Sequence, residues 1–272
     1  MEMFQYDFIQ RAFLAGAAIA VITPTLGLLL ILRKQSLLAD TLAHISLAGV
    51  ALGMVLGANP TWTTLLVVII ASIIIEYLRQ VYRDFSEISV ALMTSTGMAV
   101  ALLLVGMNSS QNNFRIDQYL FGSIILITQT EVYFLIGLAF ILGALYLIFR
   151  KPLYVLTFDE ATAHTAGLPV KWMSIGFSII TGVAISVMMP IVGSLLVSAL
   201  IVIPSATAIK VSKSFTAAIL IGILINAVGI FTGLTLSYHY DTPPGASITI
   251  CFVLIFVVVS IWNRLYNAKK VD

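Results

Sequence analysis

The 272-residue chain is 60% hydrophobic and 10% charged, with a net charge of +2 and a mean hydropathy of +1.06. That composition excludes a soluble globular domain and predicts an all-α polytopic membrane protein. It has no basic run and no basic patch interleaved with aromatics, so it also argues against nucleic-acid binding.

The N-terminus, Met1 to Asp7, is acidic, and the first apolar run is too long for a signal-peptide core, so no cleavable leader is expected. Residues 13–32 read as the first span, kinked at Pro24 and stopped by Arg33 and Lys34. Residues 36–57 form the second, followed by a short uncharged turn at 57–61. The third covers 62–78 with Trp62 at one interface, and a charged loop runs from Arg79 to Glu87. The fourth covers 88–106, where Ser95, Gly97 and Ala99 permit close helix packing. After a polar stretch at 107–118, residues 119–127 are apolar but too short to cross, which suggests a short interfacial or re-entrant helix.

Residues 132–149 form the fifth span, and a longer polar loop is expected at 150–171. The sixth covers 172–188 and ends at Met189-Pro190; the seventh covers 192–209 and includes Pro204. The eighth covers 215–236, with Gly222, Gly229 and Gly233 spaced for tight contact and Asn226 able to bond across helices. A loop at 237–246 leads to the ninth span, 247–263. Glu76 and Glu131 flank spans and are expected to face water; Cys251, Met188 and Met189 are read as packing. Nine spans is the preferred count and eight the alternative, built into a single transmembrane domain covering residues 1–272.

Arginine and lysine placement gives the orientation. Arg33 and Lys34, Arg79 and Arg83, Arg150, Lys151 and Lys171, Lys210 and Lys213, and Arg264, Lys269 and Lys270 fall on one side, leaving Arg11 and Arg115 on the other. The N-terminus is then outside and the C-terminus cytoplasmic. No Walker A motif or nucleotide fingerprint is present, so any ATP hydrolysis belongs to another chain and this one is not an enzyme.

Two stretches carry chemistry. Asp40 and His44, four residues apart in the second span, lie on one helix face roughly 6 Å apart along the axis. A carboxylate and an imidazole in hydrocarbon are costly unless paired or in use, and oxygen plus nitrogen suits a divalent metal such as zinc. The structural alternatives are that Asp40 caps a helix starting at Thr41 and that His44 is a satisfied core histidine. The second stretch lies in the 150–171 loop. Asp159-Glu160 opens a short helix and Gly167 ends it, with Pro169 two residues on. A capped helix outside the membrane is either a docking element or an ordinary interfacial helix.

Several stretches together resemble the membrane permease subunits of bacterial zinc and manganese ABC importers. They are Leu38 to Gly53, Leu120-Phe121-Gly122-Ser123, Phe158-Asp159-Glu160-Ala161 through Gly167, Val192 to Ala208, and Leu236-Ser237-Tyr238 with Asp241 to Ala246. The resemblance implies a bacterial inner-membrane location and a pair of permease copies embedded in lipid. It also implies two cytoplasmic ATPase subunits and an extracellular metal-binding lipoprotein or periplasmic protein. By the same resemblance, Asp40 and His44 are the intramembrane metal site, and Asp159, Glu160, Ala161, His164 and Gly167 belong to the ATPase-coupling helix at 159–167. His44-Ile45-Ser46-Leu47-Ala48-Gly49 looks like the zinc branch, with zinc as transported substrate and no permanently bound cofactor.

One chain offers two ligands where zinc takes four, so a homodimer in which two Asp40 and two His44 converge is expected. His239 and Asp241 on the outer loop are a weaker candidate for metal entry, against a proline-rich turn with an exposed histidine. The alternatives are the same importer class carrying manganese or iron, a proton-coupled secondary transporter, and an intramembrane metalloenzyme. The last lacks a motif such as His-Glu-x-x-His.

Overall fold

The structure, a computed structural model, describes residues 6–82, 86–107, 116–122, 124 and 127–268. Among them are eleven helices and no strand. In chain order these are α1 (Asp7–Leu32), α2 (Leu38–Val55), α3 (Pro60–Val81), α4 (Ser86–Met107), α5 (Ile116–Phe121), α6 (Gln129–Phe158), α7 (Glu160–Thr165), α8 (Val170–Val192), α9 (Ser194–Val211), α10 (Phe215–Tyr240) and α11 (Pro244–Ala268). Nine are long and apolar enough to cross a bilayer; the others, α5 and α7, have six residues each. Much of the apolar surface of α4, α6 and α11 is uncovered, as befits helices solvated by lipid.

The nine long helices fall where the sequence predicts spans, with different ends. Helix α6 runs through Pro152 to Phe158, so the first part of the expected 150–171 loop is helical. Helix α3 likewise continues past Arg79 to Val81. Pro24 lies inside an unbroken α1, and Pro190 inside α8, which ends at Gly193. In hydrocarbon, losing one backbone bond costs less than unwinding a turn whose polar groups have no water to bond. The short element between the fourth and fifth spans begins before residue 119 and stops at Phe121. Gly122 follows with φ +73°, pressed so close to α8 that an added Cβ would sit 2.1 Å from the Val192 carbonyl carbon.

The chain forms two compact units. One comprises residues 35–122 and 149–197, and α2 is its centre, packed against α3, α4 and α8. Small residues bring these helices together. A Cβ on Gly49 would lie 2.6 Å from Thr64 Cα of α3, and one on Gly97 of α4 would lie 2.8 Å from Ile45 Cγ1. Gly182 of α8 meets Val68 and Ser72 of α3. The Thr41 and Thr94 hydroxyls bond at 2.6 Å between α2 and α4.

The other unit comprises residues 1–34, 123–148 and 198–272. Here α10 packs on α1 and α11. Its Gly222, Gly229 and Gly233 lie against Pro24, Phe252 and Ile248, the tight contacts expected from their spacing. Asn226, fully buried, donates to the Thr23 hydroxyl of α1 and to the Leu200 carbonyl of α9 at 3.4 Å. Pro204 leaves that carbonyl without its intrahelical donor, so the asparagine supplies one from the neighbouring helix.

Candidate functional site

Helix α2 starts at Leu38, preceded by Leu37 in the helical region with no side-chain cap. Asp40 is therefore not the cap of a helix starting at Thr41. It sits in the first turn, where the positive end of the helix dipole favours a carboxylate. Apart from its last residues, α2 is buried over most of its length, from Ala39 through Ala51 and Gly53. Asp40 and His44 occupy its uncovered strip, with side chains 42% and 13% exposed.

His44 Nε2 lies 3.5 Å from Asp40 Oδ2. That is longer than a good hydrogen bond. It is close to the ~3.4 Å edge of a tetrahedron with metal–ligand bonds of about 2.1 Å. The other ring nitrogen, Nδ1, is buried and has no hydrogen-bond partner. Among the described residues no group of three or more His, Cys, Asp or Glu side chains converges. Asp40 and His44 are thus a pair of candidate donors with no third such group beside them among the described residues.

The short helix α7 is closed at both ends by its own sequence. Asp159 Oδ1 accepts from the Ala161 and Thr162 amides at 3.0 and 3.1 Å, and Oδ2 accepts from the Thr162 hydroxyl. The Thr162 hydroxyl, then the Thr162 amide, hold the Asp159 carboxyl below its usual 3.8; slight desolvation opposes them and the Ala161 amide assists. At the other end Gly167, at φ +75°, donates to the His164 carbonyl, and Leu168 donates to that of Ala163, each at 3.1 Å. Ala163 is buried, whereas Ala161, His164 and Gly167 are exposed. The side chain of Glu160 lies outside the described residues.

His239 and Asp241 lie at the exposed C-terminal end of α10, where Asp241 adopts the left-handed conformation at φ +51°. The turn is tied by Ser237 donating to the Thr242 carbonyl at 2.6 Å. His239 stacks edge-on against Tyr238. The geometry accounts for the turn, and among the described residues it brings no third metal-binding group to these two.

Glu76, expected to face water, is instead 1% exposed. Arg79 Nη2 donates to its Oε1 at 2.6 Å and Arg79 Nε to its Oε2 at 3.1 Å. Ser178 of α8 donates to Oε2 at 3.3 Å. An acid and a base three apart at the end of an apolar span are visible in the sequence, but that Ser174 and Ser178 of α8 stand opposite them is not. Glu131, half-buried, accepts from the Thr128 amide and hydroxyl at 2.8 Å at the start of α6.

The model of the ABC 3 transport family matches residues 5–263. The chain is 32% identical over 270 residues to the probable metal transport system membrane protein of Treponema pallidum (strain Nichols), covering 98% of this chain and all of that one. It is 30% identical over 262 residues to the high-affinity zinc uptake system membrane protein ZnuB of Haemophilus influenzae, covering 95% and 98% of the two chains. It is also 30% identical over 254 residues to the manganese import system permease protein ScaB of Streptococcus gordonii, covering 93% and 90%. A solved structure, PsaBC from Streptococcus pneumoniae in complex with Fab, superposes with a TM-score of 0.84 at 25% identity, covering 94% of this chain and 92% of that one.

Proposed function

The chain belongs to the ABC 3 transport family, and we propose that, within this family of metal-importer permeases, it carries zinc through a pore formed by two copies of itself. It is a multi-pass integral protein of the bacterial cell membrane. The observation that carries the proposal is the pair Asp40 and His44, on the uncovered strip of an otherwise buried helix, with donor atoms at a tetrahedral edge. A second copy related by a twofold axis supplies the other carboxylate and imidazole. The resulting site has two oxygens and two nitrogens and no thiolate, so it binds zinc without trapping it.

Two further roles and a topology follow from this reading. Helix α7, with its N-cap Asp159 and its first residue Glu160, is the element that docks on a cytoplasmic ATPase subunit, through exposed Ala161, His164 and Gly167. The N-terminus lies outside and the C-terminus in the cytoplasm, which puts α7 on the ATPase side. His239 and Asp241 then lie outside, where an extracellular binding protein hands over metal. Manganese is the second reading, because the manganese permease ScaB is as similar to this chain as the zinc permease ZnuB.

The deciding experiment is metal uptake by proteoliposomes holding the permease with its ATPase. Zinc accumulation that requires ATP and outcompetes manganese supports the proposal. Manganese accumulation unaffected by zinc overturns the zinc assignment, and accumulation without ATP overturns the importer reading.

A further inference from the structure

The proposed coupling helix and the proposed metal pair belong to the same compact unit, and a continuous set of contacts joins them. Helix α7 is chained to α8 through backbone bonds, Leu168 to Ala163 at 3.1 Å and Met173 to Pro169 at 3.0 Å. Four and eight residues into α8 come Ser174 and Ser178, each 1% exposed. Ser178 donates to Glu76 of α3, and Arg79 donates to Ser174 at 3.4 Å. On its far side Arg79 Nη1 donates to the Gln35 side-chain oxygen at 3.1 Å, in the amide orientation that hydrogen bonding requires. The Gln35 carbonyl in turn accepts from the Leu38 amide at 3.0 Å, the first residue of α2. Asp40 is two residues further on.

We propose that Glu76 and Arg79 are positioning residues that transmit movement of α7 and α8 to Asp40 and His44; this rests on the transport reading above. A buried ion pair is a poor device for stability alone, because an apolar pair of similar volume generally holds a fold as well or better. Ionisable groups buried in a membrane protein's helices mark function by default. Nor does this pair tie helices together by itself, since both residues lie on α3, three apart. The ties to other elements are the long bonds that Ser178 donates to Glu76 and Arg79 donates to Ser174, and the bond from Arg79 to Gln35. Those bonds gain strength from the charges yet can exchange as α8 shifts against α3. Gly182, one turn beyond Ser178, keeps the two helices in close contact, so a shift of α8 is felt at α3 and not absorbed by a gap.

The test is the double variant Glu76→Met/Arg79→Met in the permease assembled with its ATPase and reconstituted. Unfolded or unassembled copies lower uptake and ATP hydrolysis together, so the decisive readout is metal imported per ATP hydrolysed. The expected result is a fall of about ten-fold in that ratio, with assembly and thermal unfolding midpoint kept. A ratio equal to wild type in the assembled double variant overturns the inference. If that variant fails to assemble, Ser174→Ala/Ser178→Ala decides: it leaves the pair intact and cuts its ties to α8. A reduced ratio there supports the inference and an unchanged one overturns it. A wild-type complex that hydrolyses ATP but moves neither zinc, manganese nor iron overturns the transport reading and this inference together. Normal wild-type import beside an unaltered variant ratio overturns the inference alone.

Discussion

Asp40 and His44 owe their proposed role to neighbours that are nearly all apolar. Surrounded by Leu42, Ala43, Ile45 and Leu47, all buried, they are the ionisable pair that α2 leaves uncovered. Asp40→Ala or His44→Ala is expected to reduce zinc uptake by at least about ten-fold at unchanged membrane expression, since each removes a ligand and not merely a ligand's support. Uptake at wild-type level in either variant would refute the assignment. Asp159 offers a different test because its carboxylate is held by donors of its own helix. Its folded-state pKa lies below the ordinary 3.8, so its support for α7 is complete above that value and disappears as pH falls through the lowered one. Proteolytic nicking within residues 160–168 should therefore rise in acid for the wild type. Asp159→Asn keeps a capping side chain without a titrating group, and its nicking should show no such rise. Both candidate stretches were legible because a charged residue in an apolar run, or an Asp opening and a Gly closing a short run, has few physical explanations. Glu76 was not: its burial depends on α8 arriving opposite it with Ser174 and Ser178, which no local pattern announces.

The spans themselves were readable from hydropathy because a bilayer sets their length. Their ends were not, because a helix end there is decided by local chemistry more than by the edge of the apolar run. Helix α6 carries its helical bonds past Arg150, Lys151 and Pro152 to Phe158, and stops where Asp159 starts a new cap. Pro190 was over-read as an end for the reason that α8 illustrates: without water, a helix missing one bond is still the best arrangement of its backbone. Glycine spacing was the better guide to packing. Gly49→Ala drives a methyl to 2.6 Å from the Thr64 backbone and should destabilise the detergent-solubilised protein by about 1–3 kcal/mol. Gly143→Ala meets nothing within 4 Å and should leave the unfolding midpoint unchanged or slightly raised. Equal effects of the two substitutions would contradict the packing of α2 on α3.

For the chain taken together, alternation of lysine and arginine predicts that residues 160–168 face the cytoplasm and residues 239–243 the outside. Cysteines placed at Thr165 and Tyr240, both exposed, test this in a variant whose native Cys251 is replaced. An impermeant thiol reagent applied to intact cells should label the second and not the first; the reverse pattern would invert the topology. The fold class was accessible from composition because few architectures bury so much apolar surface. The complete site was not, because one chain holds only half of the proposed coordination shell, and a second copy leaves no trace in the sequence of the first beyond that incompleteness. X-ray absorption at the zinc edge of the metal-loaded permease therefore tests the account most directly. It should give one zinc per two chains, with a shell of about two imidazole nitrogens and two carboxylate oxygens at ~2.0–2.1 Å that is lost in His44→Ala. A shell containing sulfur, or one unchanged by that substitution, would contradict it.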